Sequence, residues 1–273
     1  MEICIQLRFY TQLNGKLSIM NIVIIGSGNV AAVLGRKFIK AGHTIMQIYS
    51  RNASAASELA YEWDIESTNY KSLIIKNADV YIVAVSDTAI VEVVDDLSFP
   101  GKVVAHTAAS VPKEILQHVT THYGVFYPLQ SLRKEMTDLP EIPIFTDGND
   151  DHTKKILSDL AHSVSDNNNV AEAGDETRLK LHVAAVIVSN FTNHLYKLAA
   201  DFCKKEGIDF RQLIPLINET THRLQEVEPE HAQTGPAKRH DDETIQKHLE
   251  LLSRHPQLQK IYRLLSESVQ DNG

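Results

Sequence analysis

From about residue 21 to residue 146, short runs that are apolar at nearly every position alternate with stretches whose apolar residues recur every three or four places. The uninterrupted runs predict strands at residues 22–25, 44–49, 80–85, 102–105, 124–127 and 144–145. A strand without a polar face is covered on both sides, as in a parallel sheet. Stretches of about a dozen residues or more separate most of the runs, enough for a crossover helix. Strand–helix alternation of this kind marks a doubly wound α/β sheet. There is no internal repeat and no low-complexity tract.

The pattern changes after Asp147-Gly148-Asn149-Asp150. A helical period predicts a helix over residues 151–164, then a polar break at 165–169. The longest helical pattern runs from 175 to about 206, or about 48 Å at the usual rise per residue. Gly207 suits the position just past its end. Its middle carries Leu179, Val183, Val186, Ile187, Phe191 and Leu195 and has little polar face, so burial on several sides is expected. Further helices are expected at about 209–226, 241–253 and 257–269. The chain thus reads as a sheet domain over residues 20–150 and an all-helical domain over 151–273. Residues 1–19 read as an optional extension, because Met20 stands where the first strand begins.

Composition narrows the function classes. The two cysteines, Cys4 and Cys203, exclude a disulfide scaffold and a cysteine-rich metal module. Lys and Arg number 27 against 35 Asp and Glu, a net charge of −8 that argues against a nucleic-acid partner. No run reaches the ~18 apolar residues of a membrane span. The first residues lack the basic start and apolar middle of a signal peptide, so a cytoplasmic protein is expected. The 13 histidines include no H-E-x-x-H spacing, and no functional metal is expected.

The strongest motif is Gly26-Ser27-Gly28-Asn29-Val30-Ala31, the G-x-G-x-x-A form of the dinucleotide fingerprint. Strand, loop, helix and second strand follow in order, which is the context the motif needs. Gly26 permits the tight turn, Gly28 lets backbone approach a diphosphate, and Ala31 lets helix and strand pack closely. The N–H groups that open the next helix face the phosphates. An NAD site has Asp or Glu about 20 residues on, for the ribose 2′-hydroxyl. Here the second strand ends Tyr49-Ser50-Arg51-Asn52, with no carboxylate. Arg51 and Ser50 suit a 2′-phosphate, and Asn52 opens a helix whose N–H groups add to the anion site. NADP is therefore the expected cofactor.

Ligands of such sheets lie beyond the carboxyl ends of the strands. Val85 and Ser86 are expected along the cofactor, with Asp87 or Thr88 capping the next helix. His106 ends the following strand, where a nicotinamide would reach, and is a candidate for both catalysis and cofactor contact. Tyr127 to Ser131, including Gln130, would line the same cleft.

The segments GSGNVA, SRN, AVSD, HTAAS, YPLQSL, LHVAAVIVSNF and TGPAKRHDDETIQKHLELL occur in that order. Together they resemble a family that joins a Rossmann-like NADP-binding domain to an all-helical domain like that of 6-phosphogluconate dehydrogenase. Its members are often labelled deazaflavin-dependent NADP oxidoreductases. It is related to pyrroline-5-carboxylate reductase and to the β-hydroxyacid and ketopantoate dehydrogenases. The resemblance covers Met20 to about Leu252. It implies NADPH on residues 26–31, 50–52 and 85–86, an active site between the domains, and a homodimer through the helical domain. The β-hydroxyacid enzymes carry a Lys followed four residues later by Asn; here Lys180 is followed by Ala184, so that pair is not carried over.

His182, Ser189 and Asn193 fall near one stripe of the long helix, with Asn190 adjacent. They read either as a substrate-facing row, with His182 as proton donor, or as satisfied core groups. Arg239, beside the helix start at Asp241 and Asp242, suits an anionic substrate group or a loop-holding ion pair. Two functions remain open on these residues. One is an NADPH-dependent reductase of a small carbonyl or imine; the other is a non-catalytic NADP-binding sensor.

Overall fold

The structure, a computed structural model, describes residues 18–271. The expected extension lies almost wholly outside the described residues, as does Cys4. The chain divides into a first compact unit ending at Val188 and a second from Ser189.

The first unit holds strands β1 (Asn21–Ile25), β2 (Thr44–Tyr49), β3 (Glu66–Thr68), β4 (Val80–Val83), β5 (Val103–His106), β6 (His122–Pro128), β7 (Ile144–Gly148) and β8 (Val170–Glu172). They form one sheet in the order β3-β2-β1-β4-β5-β6-β7-β8, parallel throughout except for the antiparallel pair β6 and β7. This is the doubly wound order, with its reversal between β1 and β4. Along β1, Ile22 and Ile24 join one core and Val23 and Ile25 the other. Both faces are covered, which is why the strand reads as an unbroken apolar run.

Helix α1 (Asn29–Lys40) follows β1, α2 (Ala53–Trp63) follows β2, and the short α3 (Ile90–Val94) follows β4. Val33, Leu34 and Phe38 of α1 are wholly buried. Each contributes up to about 1.5–3 kcal/mol of burial, which fixes the head of α1 against the sheet. β3 and β8 escape the apolar pattern because each is three residues long and carries partly exposed or exposed positions.

Helix α4 (Asp151–Val164) begins where it was expected, with the Asp150 carboxylate accepting from the Thr153 N–H at 2.8 Å. It packs within the first compact unit. Leu157, Leu160 and Ala161 are wholly buried in the same core as β1 and α1, and β8 then adds to the sheet beside β7. The division expected near residue 150 therefore falls inside the first unit, and the region after it is not wholly helical.

The long helical pattern is also resolved differently. It comprises α5 (Asp175–Ala185), a π-helical segment Val186–Phe191, and α6 (Thr192–Lys205). Three β-branched residues in succession, Val186 to Val188, crowd the standard helical turn there. Burial on several sides is not found among the described residues: Leu179, Val183, Ile187, Val188 and Phe191 are 47–71% exposed.

In the second unit, Gly207 follows α6 in the left-handed region (φ 72°), as a helix end requires. A 3-10 turn (Phe210–Leu213), α7 (Ile214–Arg223), α8 (Pro229–Ala232), α9 (Asp242–Leu251) and α10 (Pro256–Asp271) follow. Asp241 caps α9 by accepting from the Thr244 N–H at 3.1 Å. Ala237, Ile245 and Leu249 form a small core with Tyr262.

Candidate functional site

At the switch point between β1 and β4 a cavity of about 540 Å³ opens beyond the carboxyl ends of the strands. The loop after β1 forms its floor. Gly26 has φ +126°, and a Cβ there would sit 2.1 Å from the Ala84 carbonyl oxygen, so only glycine fits. Its N–H donates to the Tyr49 carbonyl at 2.7 Å, tying the loop to β2. Gly28 is the N-cap of α1 and has an ordinary extended conformation. A Cβ there would meet nothing within 4 Å. No side chain caps α1 and no acidic residue lies in its first turn. The helix thus presents uncapped N–H groups to the cavity, the arrangement that receives an anion.

Beyond β2, the Ser50 hydroxyl accepts from the Ser27 hydroxyl at 2.8 Å and from the Asn52 N–H at 3.2 Å. Both contacts use its lone pairs, which leaves its own hydrogen available to an anion. Asn52 caps α2 by accepting from the Ala55 N–H at 3.1 Å. The Arg51 guanidinium stands at the rim, half exposed, against Glu92 of α3.

The cavity wall contains ten of the expected cofactor residues: Gly26, Ser27, Gly28, Asn29, Val30, Ser50, Arg51, Asn52, Val85 and Ser86. Tyr49, Asp87 and Thr107 line it as well. Asp87 does not cap the next turn; its carboxylate accepts from the Ser110 hydroxyl at 2.5 Å and holds the loop after β5.

His106 does not line the cavity. The ring is wholly buried, and Thr107 takes the wall position. Its Nδ1 accepts from the Ala108 N–H at 3.2 Å, which places the proton of the neutral ring on Nε2. Burial, then the Arg178 charge, push its pKa down to about 4, against weaker opposition from the Pro112 carbonyl, Asp175 and Asp87. The unfolded chain takes up this proton near pH 6.5 and the folded chain only near 4. Its contribution is therefore fully present above about pH 6.5 and lost as pH falls towards 4, on the order of 3 kcal/mol. His106→Gln is expected to flatten the dependence of Tm on pH between 4 and 6.5; an unchanged slope by calorimetry would place the titration elsewhere.

On β6, two residues beyond Val125, which pairs with His106, Tyr127 is buried and its hydroxyl lies 3.0 Å from Nδ1 of His182 on α5. Burial, then the Asp87 carboxylate, push this phenol up to about 12, so it stays protonated at neutral pH. Arg178, four residues before His182 on the same face of α5, is wholly buried. It donates from Nε to the Ala109 carbonyl at 3.1 Å and from Nη2 to the Val111 carbonyl at 2.6 Å and to Asp175 at 2.8 Å. It fastens the loop after β5 to α5. Sequence reasoning missed Arg178, since an Arg in a helix start reads as a surface cation.

The remaining candidates lie apart from the cavity wall. Gln130 is exposed and accepts from its neighbour's N–H at 2.9 Å. Ser189, Asn190, Asn193 and Arg239 belong to the second unit, where Asn190, Asn193 and Arg239 are exposed. Lys180 pairs with Glu176 on the surface.

Comparison with known proteins agrees with this architecture. Residues 21–110 match the family described as NADP oxidoreductase, coenzyme F420-dependent. Residues 142–269 match a domain of unknown function, DUF2520. A candidate NADP oxidoreductase of Bacteroides fragilis, known as a crystal structure, is 38% identical, with a TM-score of 0.84 over 94% of this chain and 100% of that one. The chain belongs to this family of NADP oxidoreductases. It is accordingly an oxidoreductase-family enzyme with a Rossmann-type sheet and a helical C-terminal region. More distant structures share the fold. A 1-pyrroline-5-carboxylate reductase of Streptococcus pyogenes is 14% identical, with a TM-score of 0.62 over 93% of this chain and 99% of that one. An imine reductase of Myxococcus stipitatus in complex with NADP+ is 15% identical, with a TM-score of 0.60 over 92% of each chain. No curated protein matches the sequence. Among the described residues no helix is long and apolar enough to cross a membrane.

Proposed function

We propose that this oxidoreductase is an NADPH-dependent reductase of a small carbonyl or imine. The observation that carries the reading is one continuous edge of the sheet. It runs from the uncapped head of α1, past Ser50 and Arg51, to Thr107, with Tyr127 on the next strand and His182 of α5 against it. The residues fit the cofactor. The open space at Gly28 admits a diphosphate to the N–H groups of α1, and Ser50 and Arg51 receive the 2′-phosphate. NADPH, when bound, supplies the hydride.

The chain supplies placement and a proton. Neighbouring parallel strands lie about 4.8 Å apart, so a ring reaching past Thr107 brings its substrate towards Tyr127. The phenol stays protonated and hydrogen-bonded to His182, ready to give its proton to the oxygen or nitrogen of the reduced substrate. With the Nδ1–H of His182 donating to the phenol oxygen, that proton passes to the phenolate as Nε2 takes one from solvent, so the ring ends neutral. His106, buried and neutral, holds the end of β5 and touches no substrate. The surface apolar residues Leu179, Val183 and Ile187 support a homodimer through the helical residues, which light scattering of the purified protein would test.

Tyr127→Phe and His182→Ala are each expected to lower kcat by about 10²–10⁴-fold, the usual range for a proton donor. NADPH affinity should stay within about threefold, because neither residue lines the nucleotide cavity. The assay is NADPH oxidation over a panel of keto acids, cyclic imines and a deazaflavin. Unchanged kcat in both variants removes the pair from the chemistry. Saturable NADPH binding with no turnover on any substrate removes the carbonyl and imine classes.

A further inference from the structure

Arg51, the cation given above to the 2′-phosphate, already has a partner. Its Nη1 lies 2.5 Å from a carboxylate oxygen of Glu92, with the two side chains 52% and 71% exposed. Glu92 sits on α3, between Ala89 and Val93, both of which line the cavity. The helix therefore forms the wall that faces the β2 loop, and Glu92 reaches across its rim. Its backbone is tied from outside: Lys71 Nζ donates to the Glu92 carbonyl at 2.9 Å. Among the described residues the Ser50 hydroxyl meets Ser27 and the Asn52 N–H, and no carboxylate bonds to it.

A carboxylate oxygen at that distance from Nη1 takes up one side of the guanidinium and partly neutralises the charge that a phosphoryl group needs. A phosphate monoester, with a charge of roughly −1.5 to −2, must also come close to the carboxylate while it displaces it. A nucleotide with a free 2′-hydroxyl meets neither obstacle and leaves the pair intact. We propose that Glu92 is a specificity-determining residue: it stands in for the 2′-phosphate on Arg51, and its displacement sets how strongly NADPH is preferred over NADH. This inference rests on the assignment of Arg51 to the 2′-phosphate.

Binding of NADPH, NADH and adenosine 2′,5′-bisphosphate is measured by calorimetry on the full chain, with Glu92→Gln, Arg51→Gln and the double variant. Glu92→Gln is expected to tighten NADPH and the bisphosphate by about three- to tenfold at low salt, since exposed pairs and rim charges act on this scale. NADH should change by less than about twofold. The gain should shrink in the Arg51→Gln background, because the competition needs both partners. Unchanged or weaker NADPH binding in Glu92→Gln, or an equal gain for NADH, overturns the role of Glu92 while leaving the assignment of Arg51 standing. A wild-type chain that binds both dinucleotides alike, with Arg51→Gln silent, overturns the assignment of Arg51 and this inference with it.

Discussion

Gly28→Asp is expected to lower NADPH affinity by at least about 100-fold without loosening the fold. Gly28 has φ −83°, which any residue adopts, and a Cβ there meets no neighbour within 4 Å. Asp is among the favoured N-caps, and its carboxylate would accept from the N–H groups of Val30 and Ala31. Those are the groups assigned to the diphosphate, so the new side chain both fills the approach and repels the ligand. Stability should be unchanged or slightly higher, with a Tm shift of at most about 2 °C upward. Gly26→Ala supplies the contrast. Its Cβ would lie 2.1 Å from the Ala84 carbonyl at a backbone φ of +126°, which costs several kcal/mol of stability. One variant thus loses the ligand and keeps the fold; the other loses the fold. Thermal melts and NADPH titration read both. If folded Gly28→Asp still binds NADPH within about fivefold of wild type, the diphosphate does not sit at the head of α1.

Arg51→Glu is expected to weaken NADPH by about 100-fold and NADH by no more than about threefold. The substitution removes the cation and places a second carboxylate beside Glu92, so a 2′-phosphate meets two like charges at the rim. The pair is exposed, so the fold should be untouched. The measurement is the ratio of the two dissociation constants at one salt concentration, since rim charges are screened as ionic strength rises. Equal loss for both dinucleotides sinks the selection of NADP by Arg51.

The turn at Gly26, the bare start of α1 and the Asn52 cap were legible because their geometry is local. A tight turn, a bare helix start and a capping side chain depend on residues next to one another. The strands β1, β2 and β4 to β7 were legible because burial on both faces leaves few polar positions to disguise them. β3 and β8 were not, since three residues with exposed positions carry no period. The change of pattern near residue 150 was legible, but the packing of the helix that follows it was not, because a helix that covers a sheet and one that packs on other helices show the same apolar stripe. Only the contacts of Leu157, Leu160 and Ala161 tell them apart.

The amino-acid order by itself determined the α/β class, the uncapped head of α1 and the absence of a carboxylate directly after β2. These follow from backbone geometry and side-chain chemistry within a few residues. The tertiary structure alone decided that His106 is sealed in the core, that Tyr127 meets His182 across 55 residues, and that Glu92 faces Arg51 from another helix. The physical reason is the same in each case. A side chain's charge state and partners depend on what packs against it, and strands adjacent in the sheet bring together residues that the sequence keeps far apart.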